Sequence, residues 1–348
     1  MLFTAVVIVA FAMARLSVGL GVRAGLVDLP DARKLHSAPT PLTGGIFIFL
    51  TILICTFATG TAPYSNGMLA IAVGVFLVGV FDDIQHINPW LRLGIQYCAG
   101  LALATYGGIT LYNVGDLLAM GDIPLLFLAV PLTGLAVAGL SNAYNMIDGI
   151  DGLAATTVAL PLLVLYLLAV YSGHPHANFL LLMLIPLAVF LVFNLGPNNA
   201  LLPKMFLGDG GSVTLGFLVT SSLVYFSQGE NAVILPVTAL WLVTVPLMDM
   251  LSTMLRRLQE RRPLMEADRG HLHHTLQDMG LNRRQTLHVM ALYAGACALT
   301  GLLLQNVPEY LSLATYSLLF LAHSVFVLKR EQVAEHMQGL LGRLTDGA

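Results

Sequence analysis

The sequence predicts an all-α polytopic membrane protein, on three observations. Hydrophobic residues make up 57% of the 348 and charged residues only 10%, against roughly 25% charged in soluble domains. Mean hydropathy is +0.81. The apolar residues fall into long runs divided by polar punctuation, as membrane-crossing helices require. About eleven spans are expected, near residues 1–21, 43–61, 67–81, 91–107, 122–141, 153–172, 176–194, 211–227, 232–252, 287–305 and 309–328. The chain reads as one integral membrane domain, 1–348. Its expected cytoplasmic loops are about 22–43, 81–91, 142–152, 195–211 and 253–286, with a tail at 329–348.

The basic residues set the orientation. Of sixteen Lys and Arg, fifteen follow odd-numbered spans, and Arg15 lies late in span 1, nearest the same side. The positive-inside rule makes that side cytoplasmic, with the N-terminus outside and the C-terminus inside. A net charge of −3 gives no bulk affinity for nucleic acid. Cys55, Cys98 and Cys297 lie far apart in apolar runs and read as small buried hydrophobes. The first fourteen residues resemble a signal-peptide core ending in Ala12-Met13-Ala14, but lack a positive n-region, which favours an uncleaved first helix. Val333, Met337, Leu340, Leu341 and Leu344 in the tail have the spacing of a surface-lying amphipathic helix or a frayed exposed one.

Taken in order, the odd loops hold nearly every unusual polar cluster. The first carries Asp28, Asp31, Arg33, Lys34 and His36, then Gly44-Gly45; its cations serve either topology or phosphate binding. The second carries Asp82-Asp83, adjacent carboxylates that repel unless a cation joins them. The third is the most informative: Asn142, Asn145, Asp148-Gly149 and Asp151-Gly152. Carboxylates are expensive in lipid and mark functional sites. Asp148 and Asp151 would share a face if that turn is helical. A capping role explains one of the four polar residues, not all of them.

The fourth loop runs from Asn194 through Lys204 and Phe206 to Gly208-Asp209-Gly210-Gly211-Ser212, a glycine-flanked carboxylate suited to a metal–phosphate unit. The fifth and longest holds Arg256, Arg257, Arg261 and Arg262, then Asp268-Arg269-Gly270-His271-Leu272-His273-His274. Zinc is disfavoured by the lack of a cysteine or an obvious fourth ligand, so His and Arg contacts to phosphate or sugar oxygens are the better reading. Together the five loops carry what phosphoryl transfer needs: carboxylates for a divalent cation and cations for spreading charge. A cation-coupled transporter is the alternative from another class. It is disfavoured because no repeat relates the halves and the carboxylates sit at span ends.

Five motifs in order resemble the polyprenyl-phosphate N-acetylhexosamine-1-phosphate transferases: Arg33-Lys34-x-His36 to Gly44-Gly45, Asp82-Asp83, Asn145-x-x-Asp148-Gly-x-Asp151-Gly, Phe206-Leu-Gly-Asp209-x-Gly-Ser and His271-x-His273-His274. The Asp268-Arg269 and His-Leu-His-His form resembles the branch using UDP-N-acetylglucosamine. The segment from Asn194 to Phe206 departs from the common pattern by being slightly longer. The resemblance implies an enzyme of the bacterial cytoplasmic membrane that feeds cell-surface polysaccharide synthesis. The acceptor would be undecaprenyl phosphate and the donor a UDP-N-acetylhexosamine, with Mg²⁺ or Mn²⁺ required and UMP released. It further implies roles: Asp82 or Asp83 to deprotonate or position the lipid phosphate and assist the metal, Asp209 to bind the metal, and Phe206 to stack on uracil. Asn145, Asp148 and Asp151 would organise nucleotide and metal. Arg33, Lys34, His36, Asn142, Asn194, Arg269, His271, His273 and His274 would contact substrate. Membrane lipids are the remaining partner, and a homodimer is the assembly the resemblance suggests.

Overall fold

A computed structural model describes residues 2–29, 39–266, 268–330, 332 and 333. Arg33, Lys34, His36 and the amphipathic stretch of the tail beyond Val333 lie outside the described residues. Thirteen helices are present among those described: α1 (Leu2–Ala24), α2 (Gly44–Thr59), α3 (Asn66–Gln85), α4 (Pro89–Thr105), α5 (Ala129–Ile147), α6 (Leu153–Tyr171), α7 (Ala177–Leu195), α8 (Asp209–Tyr225), α9 (Pro236–Leu242), α10 (Thr244–Gln259), α11 (Leu272–Asp278), α12 (Arg283–Leu303) and α13 (Glu309–Leu328). A two-residue antiparallel ribbon pairs Val27 with Pro41 and Asp28 with Thr40. The all-α expectation holds, and each expected span meets a helix or, for the ninth, two.

The count of eleven crossings is coarser in the structure. Seven helices, α1, α3, α5, α6, α7, α12 and α13, are long and apolar enough to cross a membrane, and α9 with α10 makes an eighth if that bent pair is one span. At 16 or 17 residues, α2, α4 and α8 are shorter. For α8 the reason is its position: every residue from Gly210 to Val224 is buried, so its sequence is set by packing and not by lipid. The hydroxyls of Thr214, Thr220, Ser221 and Ser222 each donate to a carbonyl four residues earlier, which satisfies them inside the core.

Two further expectations change. The ninth span, expected straight over 232–252, breaks after Leu242 with a bend of 80°. The fifth, expected from 122, begins its α-helix at Ala129. The residues before it form an ordered loop whose Asn113 bridges Pro124, with the Gln228 side chain accepting from Tyr112 and Asn113 N–H. Cys55 and Cys297 are buried as expected, whereas Cys98 is exposed.

Glycine lets α2 and α3 converge on the start of α8. A Cβ on Gly79 would stand 2.6 Å from the Gly210 Cα, and one on Gly45 would strike Gly211. Close backbone approach of this kind is how helices pack where lipid supplies no hydrophobic drive. It draws the ends of α2 and α3 onto the N-terminus of α8, where the polar loops gather.

Candidate active site

A cavity of about 1020 Å³ opens at that end of the bundle, at the upper edge of the range for small-molecule sites. The C-terminal ends of α3, α5 and α7 and the N-terminal ends of α6 and α8 line it. That is the gathering expected if successive helices alternate direction. Asp83, Asp151 and Asp209 gather near Asp148 to make an acidic wall; Asp28, Arg269, His274, Gln277 and Arg283 also line the cavity.

Asp82 and Asp83, adjacent in sequence, diverge. Asp83 caps α8: its carboxylate accepts the backbone N–H of Asp209 at 2.7 Å and of Gly210 at 3.0 Å, satisfying two of the unpaired donors at a helix start. Asp82 does not line the cavity. It is 2% exposed and accepts from Ile87 N–H at 2.6 Å and from Arg92 Nη1 at 2.8 Å. The expected repulsion within the pair is thus relieved by an arginine on one side and backbone amides on the other. Arg92 also reaches Asp209 Oδ2 at 3.3 Å, and Asn145 Nδ2 donates to Asp209 Oδ1 at 2.7 Å and to Ser212 Oγ at 3.1 Å.

The Asp148–Asp151 turn is not helical, contrary to the condition under which the two would share a face. α5 ends at Ile147, α6 starts at Leu153, and Gly152 between them has φ of +75°, which glycine adopts without strain. Both carboxylates still line the cavity because the turn itself forms its edge. Lys204 Nζ holds Asp151 Oδ2 at 2.6 Å. Among the described residues no donor reaches the Asp148 carboxylate. Burial, then the negative charges of Asp209, Asp83 and Asp151, push its pKa up to about 8.

Asn142 is turned away from the cavity, with its amide against the sulfurs of Met146 and Met250. Asn194 lines the cavity but directs Nδ2 to Met205 O at 2.8 Å, fixing the segment that presents Phe206. Phe206 N–H donates to Pro41 O, Phe206 O accepts from Gly44 N–H and Leu207 O from Gly45 N–H, so the glycine pair of the first loop holds the backbone that carries the ring.

The histidine segment divides. His271 is buried and anchored, its Nδ1 2.9 Å from Asp249 Oδ2 while Leu272 N–H donates to Asp249 Oδ1 at 2.7 Å. His273 packs under Gly149, where a Cβ would strike its Nε2, and neither ring nitrogen has a partner. Burial, then the neighbouring His274, lowers its pKa to about 3. His274 and Arg269 line the cavity. Asp268 fastens the segment from behind, accepting from Arg256 Nη2 at 2.7 Å, Arg257 Nε at 3.0 Å and Gly270 N–H at 2.7 Å. These donors outweigh its burial and hold its pKa far below the usual carboxylate range.

Asp28, Arg92, Lys204, Asp249, Gln277 and Arg283 enter the site or brace it without having been singled out for it. Asp249 carried a usable signal: a carboxylate inside an expected span draws the same penalty that marked Asp148. In the sequence Arg92 reads only as one of the cations that set orientation.

The donor set is oxygen-only on the acidic wall, which suits a hard divalent cation. Among the described residues no three His, Cys, Asp or Glu side chains are gathered closely enough to hold a metal. Mg²⁺ characteristically takes one or two carboxylates and completes its shell with phosphate and water, so the arrangement fits an ion that arrives with an anionic ligand.

The model of glycosyl transferase family 4 matches residues 65–227, a stretch from Asp82 through Asp209 that stops short of the histidine segment. The undecaprenyl-phosphate alpha-N-acetylglucosaminyl 1-phosphate transferase of Yersinia pestis is 32% identical over 96% of this chain and 93% of its own length. The protein of that name from Escherichia coli K12 is 31% identical, covering 92% and 89%. A probable undecaprenyl-phosphate N-acetylglucosaminyl 1-phosphate transferase of Bacillus subtilis is 30% identical, covering 84% and 81%.

Proposed function

The chain belongs to glycosyl transferase family 4, and from that premise we propose that it moves N-acetylglucosamine-1-phosphate from UDP-N-acetylglucosamine to undecaprenyl phosphate, releasing UMP. The observation that carries this reading is one cavity lined by Asp83, Asp148, Asp151 and Asp209 together with Arg269, His274 and Arg283. Such a site binds phosphates through its cations and a bridging metal through its carboxylates. The other UDP-N-acetylhexosamines are the runner-up donors. The reaction is the first membrane step of a cell-surface polysaccharide, performed at the cytoplasmic side of a bacterial inner membrane.

In the reaction an oxygen of the acceptor phosphate attacks the β-phosphorus of the donor. The bond from that phosphorus to the α–β bridging oxygen breaks, and that oxygen leaves on UMP. A one-step displacement is the mechanism we favour. Arg269, Arg283 and His274 hold the phosphates and offset charge. Asp148, which lines the cavity and whose carboxylate no donor among the described residues reaches, is the group suited to take the proton of the acceptor phosphate. Asp83 positions Asp209 through the α8 cap, and Asp82 acts behind the cavity through Arg92. Asp209 would hold Mg²⁺, or Mn²⁺, which would supply neutralisation of charge on the phosphate oxygens.

The test is UMP release by the purified protein. Release from UDP-N-acetylglucosamine only when undecaprenyl phosphate and Mg²⁺ are both present supports the reading. No release under those conditions overturns it.

A further inference from the structure

We propose that the loop between α4 and α5, residues 106–128, is a membrane anchor: a braced hairpin whose apolar tip and foot sit in the headgroup–chain boundary of the lipid around the bundle. The loop stands at the N-terminal end of α5, whereas the active-site cavity opens at the C-terminal end. A helix of 19 residues separates the two by about 28 Å. The transfer reaction makes no use of this end of the molecule.

The hairpin satisfies its own backbone to an unusual degree for a loop. Val114 N–H donates to Ile123 O at 3.2 Å, Ile123 N–H to Gly115 O at 3.0 Å and Leu125 N–H to Tyr112 O at 2.8 Å. Side chains take other amides: Thr133 Oγ1 accepts from Leu111, Gln228 Oε1 from Tyr112 and Asn113, and Asn113 Oδ1 from Gly115. At the tip, Asp116 Oδ1 accepts Met120 N–H at 2.8 Å and Gly121 N–H at 3.0 Å. Glu309, the first residue of α13, accepts Asp116 N–H at 3.0 Å. Gly115, at φ of +83°, makes room for that carboxylate, which a Cβ there would strike. Amides bonded within the protein are what a water-poor boundary requires; a loop in water has no such need.

What the frame displays is apolar. The tip carries Leu118 and Met120 outward, the latter 87% exposed, and the foot carries Tyr106, Leu126 and Phe127, the last 83% exposed. Apolar patches of this kind mark a surface that something covers. Three observations favour lipid as the cover. Leu126 and Phe127 run directly into α5 and belong to the same membrane-length apolar stretch, so the patch continues a lipid-facing surface. The bond to Glu309 ties the tip to α13, a span with few buried residues, which places it at the rim of the bundle, over lipid. The loop has no Lys or Arg, and of its two acidic residues Asp116 is turned inward on its own tip. Insertion therefore rests on apolar area and not on headgroup charge.

The test reads tryptophan fluorescence of the full chain in phospholipid vesicles, for Met120→Trp and Phe127→Trp. Both positions are exposed, so the added indole displaces no core residue. The difference from wild type, which carries Trp90 and Trp241, isolates the new signal. Each new indole should lose about half or more of its emission to lipid brominated near the carbonyl end of its chains, since an inserted apolar group lies about 5–10 Å into that boundary. Acrylamide in the water should quench neither strongly. Quenching by acrylamide without quenching by brominated lipid puts the hairpin in water and overturns the proposal. Quenching by neither, with acrylamide gaining access as the protein is diluted into excess lipid, identifies a second copy as the cover and overturns it too. Lipid quenching of Phe127→Trp alone confines the contact to the foot and removes the tip from the anchor.

Discussion

The carboxylate of Asp83, at the end of α3, accepts the backbone N–H of Asp209, the first residue of α8, at 2.7 Å. Two acidic motifs 126 residues apart are thereby one structural unit, and the role of the Asp82-Asp83 pair is split between them. Asp83 ties the cavity wall together, while Asp82 faces Arg92 behind it. Arg92 in turn touches Asp209, so a charge network surrounds the residue best placed to meet a metal.

Removing the cap tests that unit. Asp83→Ala should lower stability by about 1–2 kcal/mol through loss of the α8 cap and reduce turnover by about a hundredfold or more through displacement of Asp209. Asp83→Asn, which can still accept one amide, should be more stable than the alanine variant. Thermal unfolding in detergent, together with UMP release, reads both effects.

Arg92 should matter for folding as much as for chemistry. Arg92→Met leaves Asp82 charged and buried without its partner, a change that costs roughly 3–5 kcal/mol where neither group is exposed. Since Arg92 retains some exposure, 16%, a loss of about 2–3 kcal/mol is expected. Adding Asp82→Asn should restore much of it, a recovery that a double-mutant cycle on melting temperature would reveal.

Acid should loosen the histidine segment. The ordinary His pKa is 6.5, and that of folded His273 is lowered to about 3. Below pH 6.5 the unfolded chain takes a proton that the folded chain refuses, so stability is full above 6.5 and is lost as pH falls toward 3. The slope reaches at most about 1.4 kcal/mol per pH unit from this residue. His274, lowered by burial, adds in the same direction. Asp268 contributes only below its ordinary value of 3.8 and leaves this window untouched. His273→Phe should flatten the fall in melting temperature between pH 7 and pH 5.

Metal and nucleotide should stabilise together. With no three-ligand group among the described residues, Mg²⁺ alone at millimolar concentration should leave the melting temperature nearly unchanged. Mg²⁺ with UDP should raise it by more than UDP with chelator does, as ligand linkage requires. Equal shifts with and without metal would argue against an ion shared between carboxylates and phosphates.

Much of this site is legible in the sequence because charge is costly in an apolar chain. Asp83, Asn145, Asp148, Asp151, Phe206 and Asp209 do gather around one cavity. Side-chain direction was not legible. Nothing in the sequence separates Asp82 from Asp83, or His271 from His274; the distinction depends on Arg92 and Asp249, which arrive from other helices. The break after Leu242 was hidden for a related reason, since a run of apolar residues specifies length and hydropathy but not straightness. Helix α8 overlaps the expected span 211–227, yet its serines and threonines read as an ordinary span until its burial on all sides is seen.

The central claim is that this cavity transfers a sugar together with its phosphate. Donor carrying one label in the sugar and a second in the β-phosphate, incubated with undecaprenyl phosphate, Mg²⁺ and the purified protein, tests it most directly. Both labels should enter the lipid product in equal amounts, while the uridine and α-phosphate leave as UMP. Sugar label in the lipid without the β-phosphate label would contradict the account.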